Sequence, residues 1–448
     1  MGFMEVIKWA SFYGTLVITL IFTVYATRTY WLALALARKR RTLLSNGSGR
    51  RAQALGRPFV SVMIPTYNEP NVVDRILRAC TRLDYEPYEV VVVDDSDDEV
   101  TLRLLERWKE HPRVKIVHRD HRTGWKGGAL NEGLKHLDPR SEFVLVLDAD
   151  FVPPRDVIQR LLANFTDERV GAVQGYQWPV LNADENWITR GVRTLTAATY
   201  AFDFMARELC GGFNQLSGSV MMIRRDVLER VGGFGTSITE DWELTLKLYE
   251  HGYRVVYDGS VKVPCECPST LRRFIRQQCR WAEGHTRNFR RYFWRILKQK
   301  DLPLKTKLDF LLVGAIFLQS VLFLTGEGLI LIDIICGFFW QPIIPPPISL
   351  GLFFYMGAAY PLSMFIGLLN EGALEESYII GALVLSYLIV PFISWASIRG
   401  LLLNRGRFDR TYKTGRITRE LPGIMAYPSP SSKRKPSISS TTSGLSFS

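Results

Sequence analysis

Hydrophobic and polar positions follow three different rhythms along the 448-residue chain. The first is continuous: an apolar run over about 12–36 ends in Arg38-Lys39-Arg40-Arg41. It is longer than the apolar core of a secretory signal and meets a basic cluster where a cleavage site would stand. Residues 1–41 therefore read as a retained membrane span with cytoplasmic sequence after it.

The second rhythm begins at residue 58. Short β-branched runs (59–64, 90–93, 114–117 and 143–147) are separated by stretches of helical period (72–83, 100–109 and 128–137). Such alternation is expected of an open parallel α/β sheet, here within a cytosolic domain spanning 58–284. Three of the runs stop in polar clusters: Pro65-Thr66-Tyr67-Asn68-Glu69, Asp94-Asp95-Ser96-Asp97-Asp98 and Asp148-Ala149-Asp150. The ligand crevice of an open sheet lies at those carboxyl ends.

The third rhythm starts at 285. Phe289, Tyr292, Phe293, Ile296 and Leu297 fall on one helical face and Arg287, Arg290, Arg291, Arg295 and Lys298 on the other. An amphipathic helix at the membrane interface over 285–306 is expected, although a helix docked on the protein's own core has the same pattern. Apolar segments follow at about 308–340, 348–369 and 378–398, within a membrane region of 307–400. Lys305 and Lys307 on one side and the basic run after Arg399 on the other mark cytoplasmic flanks, so the number of crossings between them is even. One helix over 308–340 would be about 50 Å long against a hydrocarbon core of about 30 Å. A division near Thr325-Gly326-Glu327-Gly328 is expected, giving four crossings after the N-terminal one; a re-entrant hairpin satisfies the charges equally. Residues 401–420 then return to the cytosol, and 423–448, rich in Ser, Pro and Lys, have little to bury and read as disordered.

A formal net charge of +12 raises the question of nucleic acid. The cations gather beside the apolar segments, where the positive-inside bias places them, so no nucleic-acid partner is expected. Cys80, Cys210, Cys265, Cys267, Cys279 and Cys336 are scattered, and the Cys265/Cys267 pair lacks the second pair of a zinc site. Free thiols in a reducing compartment are expected.

The strand-end carboxylates Asp148 and Asp150 are spaced to share one hard cation, with Mg²⁺ or Mn²⁺ on a diphosphate as the natural occupant. In a solvated turn the same triplet would do nothing, so its neighbours decide. Asp94 and Asp95 could accept hydrogen bonds from a base or ribose, or form an Asx turn. Between His121 and Asn131, glycines surround Lys126 ahead of a helix, which suits close approach to phosphate, without a Walker pattern or a G-x-G-x-x-G. Thr239-Glu240-Asp241 opens a helical run, where a carboxylate could take a proton from a hydroxyl, or where Thr239 caps a helix with acids in its first turn. Gln277-Gln278-Cys279-Arg280-Trp281 sets an amide, a guanidinium and an indole side by side, suited to a sugar and a leaving diphosphate.

Taken in this order, the motifs closely resemble those of the membrane-integrated family-2 glycosyltransferases, which include cellulose, hyaluronan, chitin and mannan synthases. The resemblance covers about 58–281 and a later segment, Phe408-Asp409-Arg410-Thr411-Tyr412-Lys413. It implies an α/β glycosyltransferase-A-like fold, with a mostly parallel nucleotide-binding sheet, plus an α-helical transmembrane domain. It also implies donor-nucleotide contacts at Thr66, Tyr67, Glu69, Asp95, Lys126 and Asp148, a metal site at Asp148 and Asp150, and a general base at Asp241. Glu240, Gln277, Arg280 and Trp281 become acceptor or diphosphate contacts, with Gly218-Ser219 on the acceptor side. Phe408, Thr411 and Lys413 resemble a gating loop that closes over bound nucleotide. Regulation of the cellulose-synthase kind is not implied, since the serine-rich tail does not resemble a second-messenger-binding barrel.

The expected activity is an inverting, metal-dependent hexosyl transfer from a nucleotide sugar, UDP favoured over GDP, by a multi-pass membrane enzyme with a cytoplasmic catalytic domain. The product would be a β-linked polysaccharide built and exported at the membrane, among lipids and compatible with a homo-oligomer. The nearest rival is a single transfer to ceramide, diacylglycerol or polyprenyl phosphate. A non-catalytic membrane scaffold and a metal-dependent phosphoryl-transfer enzyme rank lower.

Overall fold

The computed structural model describes residues 2–45, 56–338, 346–404, 406, 412–419 and 421. Along the chain lie α1 (Phe3–Ser45), β1 (Phe59–Thr66), α2 (Val73–Cys80), β2 (Tyr88–Asp94), α3 (Glu99–Glu106), β3 (Val114–His118), α4 (Trp125–Leu134) and β4 (Ser141–Val146). Then come α5 (Val157–Leu162), β5 (Val170–Pro179), α6 (Trp187–Ala197), a π-helical turn (Ala198–Phe204), α7 (Met205–Cys210), β6 (Met221–Arg224), α8 (Arg225–Arg230), α9 (Glu240–Glu250) and β7 (Arg254–Cys265). The chain continues through α10 (Leu271–Lys298), α11 (Leu304–Gly314), α12 (Leu318–Cys336), α13 (Pro346–Glu371) and α14 (Ile379–Leu402).

The strands form one sheet in the order β3-β2-β1-β4-β6-β5-β7. Its pairs are parallel except those of β6, which runs antiparallel to both β4 and β5. Both faces are covered, and alternate residues of each strand feed different cores. Val60, Val62, Val90, Val92 and Leu145 enter one, packed by α2 and α5. Met63, Val91, Val93, Val144 and Val146 enter the other, packed by α4, α9, α10 and α11. Burial on both sides explains why these strands read as continuous apolar runs.

Three differences from the sequence reading follow from packing. The helix expected to start at 285 is the second half of α10. Its apolar stripe is docked in the domain core, with Phe289, Tyr292 and Ile296 beside Phe310 and Val313 of α11. The expected division near 325–328 is absent: those residues lie inside α12, and the chain breaks instead at Ala315–Phe317, between α11 and α12. An 11-residue helix such as α11 is about 16 Å long, too short for a bilayer core, so 308–340 contains one helix of spanning length, α12, in place of the two expected there. Among the described residues four helices are long and apolar enough to cross a membrane: Phe3–Arg38, Leu318–Cys336, Pro347–Glu371 and Ile379–Leu402.

α1 packs along α12 and α13, with Ser11 Oγ donating to the Leu329 carbonyl (3.4 Å) and Tyr30 Oη to that of Tyr355 (2.7 Å), and it also meets α11, where Tyr25 Oη donates to the Leu312 carbonyl (2.9 Å). At its domain end Arg28 pairs with Asp203 of the π turn and Asp309 of α11, both at 2.8 Å. All six cysteines are free. The tail expected to be disordered lies outside the described residues.

Candidate active site

β4 stands between β1 and β6, so the residues that follow it emerge at the centre of the sheet's carboxyl edge. The Asp148 backbone N–H donates to Ser219 Oγ (2.9 Å), and its Oδ1 meets Lys126 Nζ at 2.7 Å. Asp150 is buried; its Oδ2 accepts from the Glu266 backbone N–H (3.1 Å) and from Lys413 Nζ (2.7 Å). The entry to α4 passes through Gly124 and Trp125, both at positive φ (72° and 54°), a turn that leads directly into Lys126. Lys126 Nζ also donates to the Gly218 carbonyl (2.6 Å) and lies 3.3 Å from Glu240 Oε1. Burial draws its proton affinity down, but the Asp148 and Glu240 carboxylates more than reverse this and raise its pKa. The two glycines after it serve packing: a side chain on Gly127 would run into the Gly235 carbonyl, and one on Gly128 into that of Thr123.

Asp241 sits in the first turn of α9, where it accepts the Trp242 backbone N–H (2.8 Å). Its pKa is pushed up to about 7, first by burial and then by the Glu240 carboxylate, against the opposing pull of Lys126, the Trp242 N–H and Arg280. Thr239 does stand at the helix's N-cap position but makes no capping bond; its Oγ1 instead accepts from Asn288 Nδ2 of α10 (3.1 Å). The start of α9 is further fixed by Trp242, stacked on His285 at 4.2 Å and donating to the His285 carbonyl. Opposite Asp241 runs Ser217-Gly218-Ser219. Gly218 adopts φ 88°, and a side chain there would come 3.2 Å from Asp241 Oδ2.

The other expected residues are distributed around this centre. Thr66 is buried and committed to Asp94, donating to Oδ1 at 2.8 Å. Both Asp95 carboxylate oxygens are held by the Arg119 fork, each at 2.6 Å. The Arg122 guanidinium lies 3.7 Å from the centre of the Tyr67 ring. The Glu69 carbonyl accepts the Val72 and Val73 N–H groups leading into α2. Gln277, Arg280 and Trp281 share one face of α10 by their spacing, with Trp281 40 % exposed and Arg280 close enough to act on Asp241. Lys413 is brought to the centre, whereas Phe408 and Thr411 lie outside the described residues.

Sequence reasoning did not single out several side chains that hold this arrangement. Gln174 of β5, fully buried, donates to the Ser219 carbonyl (2.8 Å) and accepts the Ser217 N–H (2.9 Å). Tyr200 of the π turn donates to Ser217 Oγ at 2.8 Å. Glu266 pairs with Arg75 (2.9 Å) and accepts the Thr414 backbone N–H (3.0 Å), so it moors the returning segment 412–419. Its place in a polar residue at the end of β7 was the available signal.

Among the described residues no group of three or more His, Cys, Asp or Glu is arranged to hold a metal. The two carboxylates Asp148 and Asp150 are oxygen donors, and a hard cation that takes its remaining ligands from a diphosphate and water fits such a pair.

Comparison with known proteins agrees with the fold and the family resemblance. Over about half of their own length the chain matches curated relatives. A probable glucomannan 4-beta-mannosyltransferase 6 of Oryza sativa subsp. japonica is 33 % identical over 264 residues, covering 56 % of this chain and 45 % of the relative. The beta-monoglucosyldiacylglycerol synthase of Synechocystis sp. is 32 % identical over 259 residues, covering 56 % and 53 %. Among solved structures, mannosyltransferase PcManGT from Pyrobaculum calidifontis, in complex with GDP-Man and Mn²⁺, superposes with a TM-score of 0.56 at 22 % identity, over 90 % of this chain and 99 % of that one. This last likeness is one of fold. Residues 57–284, just over half the chain, match the family described as glycosyltransferase like family 2, and the chain belongs to that family.

Proposed function

We propose that the protein transfers a hexosyl group, with inversion, from a nucleoside-diphosphate sugar to an acceptor hydroxyl at the cytoplasmic face of a membrane. The observation that carries this reading is the meeting at Gly218 of Asp241, its pKa raised to about 7 by burial and by Glu240, with Lys126, which pairs with Asp148 and Glu240. A carboxylate of that basicity is suited to general-base work near neutral pH.

Asp241 takes the acceptor proton as the hydroxyl oxygen bonds to the anomeric carbon. The bond from that carbon to the diphosphate oxygen breaks, and Lys126 and Arg280 stabilise the charge that collects on the leaving group. An α-linked donor thereby gives a β-linked product. Asp148 and Asp150 would hold Mg²⁺ or Mn²⁺, which supplies further neutralisation of the diphosphate. The Lys413 ammonium lies 2.7 Å from Asp150 Oδ2, so a cation held by that oxygen would compete with it. Tyr67, Asp95, Arg119 and Arg122 make up the group that faces the donor's base.

The acceptor is a growing β-linked polysaccharide in the leading reading. A single transfer to a lipid is the second, favoured by the likeness to a glucosyldiacylglycerol synthase. The test is to supply detergent-purified protein with Mg²⁺ or Mn²⁺ and a panel of radiolabelled UDP- and GDP-sugars, and to size the product beside an Asp241→Asn control. A glycosidase-sensitive polymer identifies a synthase and its donor, and a small organic-extractable product a glycolipid enzyme. The absence of metal-dependent turnover with any donor and acceptor overturns both.

A further inference from the structure

The apolar run of α1 is interrupted once: between Lys8 and Arg38 its only charged residue is Arg28. A cation inside a helix of spanning length is costly unless it is paired, and Arg28 is paired twice. Its Nη1 donates to Asp203 Oδ1 of the π turn (2.8 Å), and its Nε and Nη2 both reach Asp309 Oδ1 of α11 (2.9 and 2.8 Å). The second oxygen of each aspartate carries the network onward. Asp309 Oδ2 accepts the Phe213 backbone N–H (2.8 Å), while Asp203 Oδ2 meets Arg207 of α7 at 2.8 Å, and Arg207 Nη1 donates to the Phe213 carbonyl. Four charged side chains, two of each sign, thus close a ring through the backbone of one residue. The ring is largely shielded from solvent, which strengthens its internal attractions and makes the loss of any one charge costly.

Phe213 opens the segment that passes opposite Asp241. Its ring is stacked on Tyr249 of α9 at 4.0 Å and meets Trp242 edge-on at 5.8 Å. Three residues later the Leu216 N–H donates to Thr245 Oγ1 (2.9 Å), which itself donates to the Asp241 carbonyl (2.9 Å). Ser217, Gly218 and Ser219 follow directly, and in the proposed reaction the acceptor hydroxyl lies between Gly218 and Asp241.

We infer that Arg28 is a positioning residue for the acceptor: acting through Asp309, a side chain of the first membrane helix fixes Phe213 and with it the spacing of Gly218 from Asp241. The inference rests on the glycosyl transfer proposed above and adds the control of its acceptor side. A pair that only fastened α1 to the domain would end at the two carboxylates, whereas here each carboxylate passes the contact on to Phe213. Without Arg28, two carboxylates share one guanidinium, and Asp309 is driven away from the Phe213 N–H. A misplacement of about 1 Å between reacting groups is enough to slow a transfer by about 10²-fold. Ser219 is held independently from β5 by Gln174, so the donor side keeps its support.

The test uses full-length protein in nanodiscs of phosphatidylcholine and phosphatidylglycerol. The variants are Arg28→Met, Gly212→Ala, whose added methyl group would stand 2.6 Å from Asp309 Oδ2, and the double variant Arg28→Met, Asp309→Asn. The double variant removes the excess charge and keeps an oxygen for the Phe213 N–H. Hydrogen–deuterium exchange needs no substrate: amides 213–217 should exchange about tenfold faster in each single variant, with those of α4 unchanged, and return toward wild type in the double. Kinetics use the donor found active in the panel above, with a soluble oligosaccharide or a dispersed diacylglycerol as the product dictates. Each single variant should raise the acceptor KM about tenfold and the donor KM by less than about twofold, and the double variant should recover most of the difference. Unchanged exchange and KM in folded Arg28→Met and Gly212→Ala overturn the proposal, as does a loss of activity that the double variant does not recover. A wild type that turns over no donor overturns the catalytic reading and the acceptor role with it; an active wild type with an unaffected Arg28→Met overturns the acceptor role alone.

Discussion

Asp241 shows how much one side chain's chemistry depends on its neighbours. Its carboxyl titrates near 7 because burial and Glu240 oppose its charge more strongly than Lys126, the Trp242 N–H and Arg280 support it. Only the ionised form accepts a proton, so kcat/KM should fall as pH drops through about 7. Glu240→Gln removes a like charge and should move that limb to lower pH, whereas Lys126→Met should move it higher. Asp241→Asn should abolish the limb and lower kcat by about 10²–10⁴-fold with the fold retained, as judged by circular dichroism. A pH limb unmoved by Glu240→Gln would contradict the assignment. The acids themselves were legible as motifs: Asp148, Asp150 and Asp241 stand at strand or helix ends where chemistry is ordinarily placed. Their partners were not. Arg119 on Asp95 and Glu266 under residues 412–419 are chosen by the tertiary fold, and no local pattern announces them.

At the scale of the element, α10 is the instructive case. A stripe of Phe289, Tyr292 and Ile296 under a basic face serves a lipid interface and a protein core equally, because both reward burial of the same apolar surface. What decides is α11, which lies across the stripe so closely that a side chain on Gly314 would strike the Phe289 ring. Phe289→Ala should therefore lower stability by about 3–5 kcal/mol in thermal or denaturant unfolding, the range for emptying an aromatic site in a core. A near-neutral effect would indicate a ring facing lipid. The same reasoning accounts for the misplaced division after residue 308. Thr325-Gly326-Glu327-Gly328 carries turn-like residues but continues as helix in α12, with Gly326 fitted against Ile18 of α1. The sheet was easier to read: strands covered on both faces have few competing interpretations.

Across the whole molecule, the remote segment 412–419 returns to the centre of the catalytic domain. Lys413 is 263 residues from Asp150 in sequence, and the pair is largely shielded from solvent, with side-chain exposures of 19 % and 2 %. Burial alone would lower the Lys413 pKa, but Asp150 holds it above the ordinary lysine range, so the ammonium stays charged at any physiological pH. Lys413→Met should leave Asp150 open and tighten Mn²⁺ binding in the absence of donor by about fivefold, roughly 1 kcal/mol, measured by calorimetry. Unchanged affinity would show that the lysine and the cation do not compete. The pairing also has a bearing on biogenesis. A domain spanning 57–314, with all the elements that pack its two cores, leaves the ribosome before α12, α13 and α14 are complete and can collapse without them. Its acidic centre receives Lys413 only after those later helices have been inserted and positioned. Completion of the centre thus comes last in the life of the nascent chain, and a polypeptide that stalls before finding its bilayer is left without the residue that covers Asp150.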